Sequence, residues 1–179
     1  MGWVISKDIE FCYGHRVHTQ TLNSEYADDL KCACRHLHGH EGKITVYLES
    51  NELDNTGMVT DFRHLEWLKK FVNNHVDHRF ILDYNDPLYD KLIGKQTLLP
   101  AYSLKGTVKA YCIDLTSIEP NTPEYEYLEG FLLVDFVPTS ENLAKWIFNI
   151  VTQKMGDNNY KINSVKWSET PKSHATYNR

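Results

Sequence analysis

Hydrophobic and polar residues alternate at both ends of the chain, and this two-residue period predicts four β-strands. The segment Trp3–Val17 places Phe11, Tyr13 and His15 on one face of a first strand. Lys43–Glu49 alternates aliphatic and polar residues, as a half-buried second strand does. Two further runs on either side of Pro171 predict a closing hairpin, and they span Ile162–Trp167 and His174–Tyr177.

Two segments have the 3.6-residue spacing of amphipathic helices. The first helix should begin at Thr60 or Asp61, either of which can cap its N-terminus. The second should begin at Pro138–Glu141 and end in the turn Met155–Asn159. The order of two strands, two helices and two strands predicts an α+β fold, with the helices covering one face of an antiparallel four-stranded sheet.

The segment between the two helices, at about residues 84–136, has a different character. It holds four of the six prolines and six of the eleven tyrosines. Two stretches in it, Thr107–Leu115 and Gly130–Phe136, should pair as strands. We therefore predict a single domain over residues 1–179 with an insertion at 84–136. Three roles stay open for this insertion: a lid over the site, a cover for an outer strand, or a surface for a partner.

Composition and charge narrow the class of function. The net charge of the 179 residues is −5 and lysine and arginine form no block, which argues against a nucleic-acid or membrane surface. No early stretch has the features of a signal peptide, and the longest apolar run, Phe131–Val134, is too short to cross a bilayer. The four cysteines form no disulfide framework. We expect a cytoplasmic protein with reduced thiols, and no membrane or direct nucleic-acid partner.

Histidines are concentrated in the first half of the chain, where eight of the nine lie between His15 and His78. His38 and His40 are two residues apart at the start of a strand, so their imidazoles should project from the same face. His15, at the end of the first strand, is the natural third ligand. Three histidines with an open fourth position are typical of catalytic zinc.

A second arrangement of metal ligands is open on the residues alone. Cys32, Cys34, His38 and His40 could form a closed structural zinc site. Their crowding into nine residues is unusual, because structural zinc sites draw two ligand pairs from separated segments.

Six motifs, taken in order, resemble the 6-pyruvoyl-tetrahydropterin synthase family. They cover nearly all of the chain outside the insertion. They are Phe11-x-x-x-His15-Arg16, Cys34-x-x-x-His38-Gly39-His40, Thr56-Gly57-Met58-Val59-x-Asp61-Phe62, Val76-Asp77-His78, Pro138-Thr139-Ser140-Glu141-Asn142-Leu143-Ala144 and Ser168-Glu169-Thr170. The resemblance implies the tunnelling fold (T-fold), in which trimers close a barrel and usually stack into hexamers.

The resemblance also implies chemistry. The family acts on 7,8-dihydroneopterin triphosphate, and its zinc binds the side-chain hydroxyls of that substrate. Zinc ligands would be His15, His38 and His40. Cys34 would be the base, and Asp77 with His78 would be the acid–base pair, although a capping role at the first helix's end is the simpler alternative. Glu169 would anchor the pterin. Thr139 and Ser140 would contact the pterin or only cap the second helix.

The position of the cysteine separates branches of the family. Cys34, separated from His38-Gly39-His40 by three residues, resembles the bacterial 6-carboxy-tetrahydropterin synthases of queuosine and other 7-deazaguanine biosynthesis. In animal 6-pyruvoyl synthases five residues separate the cysteine from this motif, which is where Cys32 stands here. The neighbours Lys31, Arg35 and Leu37 also fit the bacterial form, so Cys34 is the favoured base and Cys32 the alternative. A non-catalytic zinc- or pterin-binding module is the alternative of another class.

Three departures from the family pattern stand out. Glu41 replaces a small polar residue and should add negative charge beside the metal. Gly42 replaces an aromatic residue. The insertion is the third. For the triphosphate, Arg16 and Arg35 lie near the expected place, and His36 should have no role.

Overall fold

The computed structural model describes residues 2–102, 110–156 and 158–178, whose strands form a single mixed sheet. The strands are β1 (Trp3–His15), β2 (His38–Ser50), β3 (Arg79–Asp83), β4 (Leu98–Pro100), β5 (Ala110–Ile113), β6 (Phe131–Val134), β7 (Lys161–Ser168) and β8 (His174–Asn178). The α-helices are α1 (Glu66–His75), α2 (Tyr89–Leu92), α3 (Pro123–Glu129) and α4 (Ser140–Met155). Short 3-10 helices span Ala33–Arg35 and Phe62–Leu65.

The four predicted antiparallel strands are present, but they form only half of the sheet. The strand order is β4-β5-β6-β3-β1-β2-β7-β8, and β1, β2, β7 and β8 are antiparallel neighbours. On the other side, β3 pairs parallel with the end of β1, and β6 pairs parallel with β3. The sheet therefore has eight strands rather than four and is mixed. Strand β3 was not predicted, because Ile81 and Leu82 are buried in cores on opposite faces and leave a short apolar run without alternation.

Helices α1 and α4 cover one face of the sheet, as the hydrophobic spacing predicted. Their buried residues share one core with the inward residues of β1, β2 and β7. Asp61 is a cap, but of the 3-10 helix Phe62–Leu65 that precedes α1, since its side chain accepts a hydrogen bond from the Arg63 N–H. Thr139 caps α4. The predicted end of α4 includes Asp157, which lies outside the described residues.

The insertion continues the sheet beyond β3. Its strands β5 and β6 pair antiparallel, as predicted, although residues 107–109 of the predicted pair lie outside the described residues. Residues alternate in role along β6: Leu132 and Val134 join the main core, while Phe131 and Leu133 join a second core with Leu128 of α3. Helix α3 thus packs on the face of the sheet opposite α1 and α4. The strands of the insertion are therefore covered on both faces.

The first two strands differ in extent from the prediction in a way that matters for the histidines. β1 ends at His15, not at residue 17, and β2 begins at His38 rather than at Lys43. The strand pattern is hard to see between His38 and Gly42 because polar residues and two glycines interrupt the hydrophobic period. Because β2 begins at His38, both His38 and His40 lie within the part of β2 that pairs with β1.

An aromatic group lies below the end of these strands, against Gly42. Phe11 and Tyr13 both pack edge-on against Trp167, with ring centroids 5.0 and 5.2 Å apart from it. The Trp167 Nε1–H donates to the buried Tyr13 hydroxyl at 3.0 Å. A Cβ atom on Gly42 would lie 2.7 Å from the Phe11 ring and 2.9 Å from the Tyr13 ring. A side chain at position 42 would therefore meet rings from β1 that already fill that space.

Gly42→Ala should destabilise the protein by about 1–3 kcal/mol, the usual range for overpacking a core. Urea unfolding at equilibrium would measure the change. In a Phe11→Ala background the same substitution should have a smaller effect, because one of the two obstructing rings is gone. An equal effect in both backgrounds would contradict the packing explanation.

Candidate active site

Three histidine side chains meet where β1 ends and β2 begins. His15 lies directly opposite His38 in the antiparallel pair, and Tyr13 lies opposite His40. Residues two apart on a strand share a face, so all three imidazoles project from the same side of the sheet. Their ligand nitrogens lie within 4.8 Å of one another. The predicted trio is therefore assembled in the structure and could hold a metal ion.

Backbone carbonyls orient two of the rings. His15 Nδ1 lies 2.6 Å from the Pro138 carbonyl oxygen, and His38 Nδ1 lies 2.8 Å from the His36 carbonyl oxygen. A carbonyl only accepts, so Nδ1 carries the proton in both rings and the Nε2 lone pairs are free. This is the usual support of a metal-binding histidine.

The spacing of the free nitrogens suits a small tetrahedral ion. His15 Nε2 and His40 Nε2 are 3.2 Å apart. With Zn–N bonds of about 2.0–2.1 Å, tetrahedral angles separate two ligand nitrogens by about 3.3–3.4 Å. The donor set and its spacing therefore fit zinc.

Burial keeps two of the imidazoles neutral. It lowers the pKa of His15 to about 4, against opposing effects of the Pro138 carbonyl and the Glu169 carboxylate. Burial also lowers the pKa of His40, with a further decrease from neighbouring His38. Neutral imidazole is the form that binds a metal.

Glu169 lies at the edge of this histidine trio. It follows β7, whose last residue Ser168 pairs with Lys43 of β2. Its backbone N–H donates to the Ser173 carbonyl, and its Oε1 is 3.8 Å from His15 Nε2. The side chain is 24% exposed, so its carboxylate can reach both the trio and a bound molecule. The predicted pterin anchor is therefore next to the predicted metal ligands.

The aromatic group supports the trio from below. The Tyr13 ring centroid lies 5.3 Å from that of His15 and 5.6 Å from that of His40. Burial raises the pKa of the Tyr13 hydroxyl. The hydrogen bond from Trp167 lowers this pKa and the charge of Glu169 raises it, so that the pKa is raised overall. Tyr13 therefore stays neutral and acts as a support.

The N-terminus of α4 is joined to the site through Pro138. The Thr139 hydroxyl accepts from the Asn142 N–H at 3.3 Å, and Ser140 is the first residue of the helix. Capping accounts for Thr139, and its contact with a ligand stays a prediction, as does that of Ser140. The contact of His15 with the Pro138 carbonyl could not be predicted, because a backbone contact 123 residues away leaves no pattern in side-chain types.

Cys34 lies in the 3-10 helix Ala33–Arg35, just before β2. Its N–H donates to Gln20 Oε1 at 2.9 Å, and its carbonyl accepts from the Val17 N–H at 2.7 Å. Cys34 and Cys32 are both partly exposed. Neither belongs to the metal-binding group found among the described residues, so the closed site of two cysteines and two histidines is not assembled.

Asp77 and His78 form a pair at the edge of β1. Asp77 Oδ1 accepts from the Cys12 N–H at 2.9 Å and lies 3.0 Å from His78 Nδ1. Burial raises the pKa of Asp77, but these hydrogen bonds and the His78 charge outweigh it, so the pKa is lowered overall. Cys12 is three residues before His15, which corresponds to roughly 10 Å along the strand. The pair is therefore separate from the trio within one chain.

His78 has an unusual backbone conformation. Its φ of 59° is left-handed, which is uncommon for residues other than glycine. Its N–H donates to the Cys12 carbonyl at 2.7 Å, and this bond together with that of Asp77 holds the conformation. The imidazole is 78% exposed, so it is presented to the outside of the chain.

Two expectations about charge change with the structure. Glu41 lies opposite Cys12 and alternates with His40, so it is exposed on the other face of the sheet. The prediction that Glu41 adds negative charge beside the metal ligands is therefore wrong.

Arg16, which was expected near the triphosphate, is 9% exposed. Its Nε lies 3.0 Å from Asp86 Oδ2, so its side chain forms an internal ion pair. Arg35 is exposed and stays a candidate for phosphate contact.

Known proteins resemble the chain along its whole length. The family model described as 6-pyruvoyl tetrahydropterin synthase matches residues 4–179. A 6-carboxy-5,6,7,8-tetrahydropterin synthase of Aquifex aeolicus is 30% identical over 186 residues, which covers 99% of this chain and 98% of that protein.

Solved structures share the fold. An uncharacterised protein of Wolinella succinogenes has a TM-score of 0.91 and 41% identity, covering 100% of this chain and 99% of that one. The 6-pyruvoyl tetrahydropterin synthase of Caenorhabditis elegans has a TM-score of 0.56 and 23% identity, covering 100% and 96%. The architecture is thus that of the tunnelling fold, and the chain belongs to the 6-pyruvoyl tetrahydropterin synthase family.

Proposed function

We propose that this protein is a zinc-dependent 6-carboxy-5,6,7,8-tetrahydropterin synthase, a carbon–carbon lyase. It would convert 7,8-dihydroneopterin triphosphate to 6-carboxytetrahydropterin, acetaldehyde and triphosphate. The observation that carries the proposal is the convergence of three imidazole nitrogens within 4.8 Å, with the Glu169 carboxylate 3.8 Å from one of them. The name of the Aquifex aeolicus relative supports this branch of the family.

His15, His38 and His40 would hold the zinc through their free nitrogens. When bound, zinc supplies a Lewis acid that lowers the pKa of a substrate hydroxyl and stabilises negative charge that develops beside it. The ion pair Arg16–Asp86 and the carbonyls behind His15 and His38 keep this end of the sheet ordered.

The other predicted residues fall into two groups, one that would bind the pterin and one that would transfer protons. The Glu169 carboxylate can accept two hydrogen bonds from the 2-amino group and N3–H of a pterin. Cys34 would remove a proton from the substrate side chain as a thiolate. Asp77 would orient His78, which would then move a proton as acid or base. Thr139 and Ser140 would contact the pterin from the N-terminus of α4.

We propose that the chain works as a homohexamer, a dimer of trimers. Two observations support an assembly of copies. The exposed Asp77–His78 pair is separate from the histidine trio within one chain, so a second copy can bring the two together. In addition, among the described residues β3 covers only Tyr13–His15 of β1, which leaves most of that edge of β1 available. Single-domain organisation over residues 1–179 is part of the proposal.

The product would feed 7-deazaguanine synthesis, including queuosine and its precursor preQ0, in the cytoplasm. None of the helices in the described parts of the chain is long and apolar enough to cross a membrane.

Incubation of zinc-loaded protein with dihydroneopterin triphosphate, followed by mass spectrometry, tests the activity. Carboxylated pterin with acetaldehyde is the expected result. A 6-pyruvoyl product would instead assign the animal-type reaction and favour Cys32 as the base. Binding of both zinc and substrate without turnover would contradict the enzyme and favour a binding module.

Single substitutions separate an open catalytic site from a closed structural one. His40→Ala should weaken zinc binding by more than about 100-fold, because even residues behind the ligands contribute about 10–100-fold. Cys34→Ala should abolish turnover and retain zinc, as measured by atomic absorption after dialysis. His36→Ala is the matched control and should retain both. Loss of zinc from Cys34→Ala would support the closed site.

Asp77→Asn should lower kcat by about 10²–10⁴-fold, the usual contribution of a positioned acid or base. The amide oxygen can still accept the Cys12 N–H, so the unfolding free energy should change little. Steady-state kinetics and urea unfolding measure the two effects, with the exposed Asp28→Asn as the control. An unchanged kcat would leave Asp77 with only its structural hydrogen bond.

The metal-free protein should lose stability as pH falls from about 6.5 to about 4. In this window the unfolded chain protonates His15 while the folded chain, with its pKa near 4, does not. The loss should reach about 3 kcal/mol at about 1.4 kcal/mol per pH unit. Urea unfolding of chelator-treated protein at pH 7 and pH 4 measures it. His15→Gln should lose correspondingly less on acidification, and an identical loss would contradict this origin.

A further inference from the structure

The short helix that carries Cys34 has little to hold it in place on its own. The 3-10 helix Ala33–Arg35 is one turn long, buries none of its residues, and has no side-chain hydrogen bond at its N-cap, Cys32. Its position must therefore depend on contacts with other parts of the chain.

Those contacts come from the loop that follows β1. The Cys34 N–H donates to Gln20 Oε1 at 2.9 Å, and the Val17 N–H donates to the Cys34 carbonyl at 2.7 Å. The Arg35 Nε–H donates to the Gln20 carbonyl at 2.7 Å. Both backbone polar groups of Cys34 are thus fixed to residues 17–20, and the Gln20 side chain makes one of the two bonds.

The same loop is anchored on its other side to the start of the insertion. Arg16 Nε lies 3.0 Å from Asp86 Oδ2, and His18 Nε2 lies 3.2 Å from Asp83 Oδ2. The Asp86 side chain is fully buried and that of Asp83 is 5% exposed. Removing one partner of the buried Arg16–Asp86 ion pair is strongly destabilising, and the contact between His18 and Asp83 gives the loop a second link to the same turn.

We propose that Gln20 is the positioning residue for Cys34, and that Asp83 at the end of β3 and Asp86 at the start of the insertion anchor the loop that carries Gln20. The proposal rests on the proposed role of Cys34 as the base. It also gives the insertion a purpose beyond extending the sheet, because Asp86 at its start helps to fix the loop that places the thiol. A displacement of a reacting group by about 1 Å reduces rate by about 100-fold.

The first test replaces the Gln20 side chain. Gln20→Ala removes the acceptor and should lower kcat by about 10–100-fold while KM and zinc content stay unchanged. Site-resolved alkylation by iodoacetamide, followed at Cys34 by peptide mass spectrometry from pH 6 to pH 10, should show a changed rate. Gln153→Ala on the exposed part of α4 is the matched control and should leave kcat, KM and the alkylation rate unchanged.

Gln20→Glu separates positioning from general structural support. Its carboxylate retains an acceptor for the Cys34 N–H but places a negative charge near the thiol, which disfavours the thiolate. Its alkylation profile should move to higher pH, and kcat should recover towards the wild-type value at alkaline pH. Gln20→Ala should show no such recovery.

The anchor is tested with His18→Ala. The His18 side chain is 13% exposed whereas that of Asp86 is fully buried, so this substitution disturbs the packing less than a change of Asp86 would. His18→Ala should also lower kcat. The effects of His18→Ala and Gln20→Ala on kcat should be less than additive in the double variant, because both act through one loop. Full additivity would overturn the link between the anchor at the end of β3 and Cys34.

Two outcomes distinguish failure of this inference from failure of the proposed function. Wild-type kcat and wild-type Cys34 alkylation in Gln20→Ala would overturn the positioning role and leave the synthase intact. A wild-type protein without turnover, in which Gln20→Ala still changes Cys34 alkylation, would contradict the synthase and retain the positioning of the thiol.

Discussion

The pairing register of β1 and β2 is the constraint on which the site depends. It places His15 opposite His38 and Tyr13 opposite His40, so the ring nitrogens converge without any loop having to fold over them. A shift of one residue would turn one strand's side chains to the other face. The register is fixed by the buried residues further along both strands, including Ile9, Ile44 and Val46, which must face α1 and α4. The hydrophobic core and the histidine trio are therefore set by the same pairing.

Much of this could be inferred from residue types alone, because strand periodicity is visible in the sequence. The two-residue spacing predicted that His38 and His40 share a face and that His15 supplies the third nitrogen. Glu169, which follows β7 and lies beside them, was predicted only through the resemblance to the family. The early start of β2 was missed because Gly39, Glu41 and Gly42 interrupt the hydrophobic pattern. Contacts made by the backbone, such as the Pro138 carbonyl behind His15, leave no trace in the pattern of side chains.

The insertion shows a different limit of sequence patterns. Its strands were visible as apolar runs, but their partners depend on β3, a short buried strand without alternation. Because β3 joins the end of β1 in parallel, the insertion begins close to the histidine trio rather than at a distant edge. Asp83, the last residue of β3, belongs to both regions: it ends a core strand and binds the side chain of His18. Sheet extension and active-site support thus use the same turn.

The left-handed backbone at His78 opposes stability to the acid–base role proposed for its side chain. A residue with a β-carbon at a positive φ is strained by on the order of 1–3 kcal/mol. Glycine or asparagine would relieve part of that strain and raise stability while removing the exposed imidazole. A search for heat-resistant variants that measured only folding would therefore favour replacement of His78. Maintenance of a histidine in this conformation requires selection for what its side chain does.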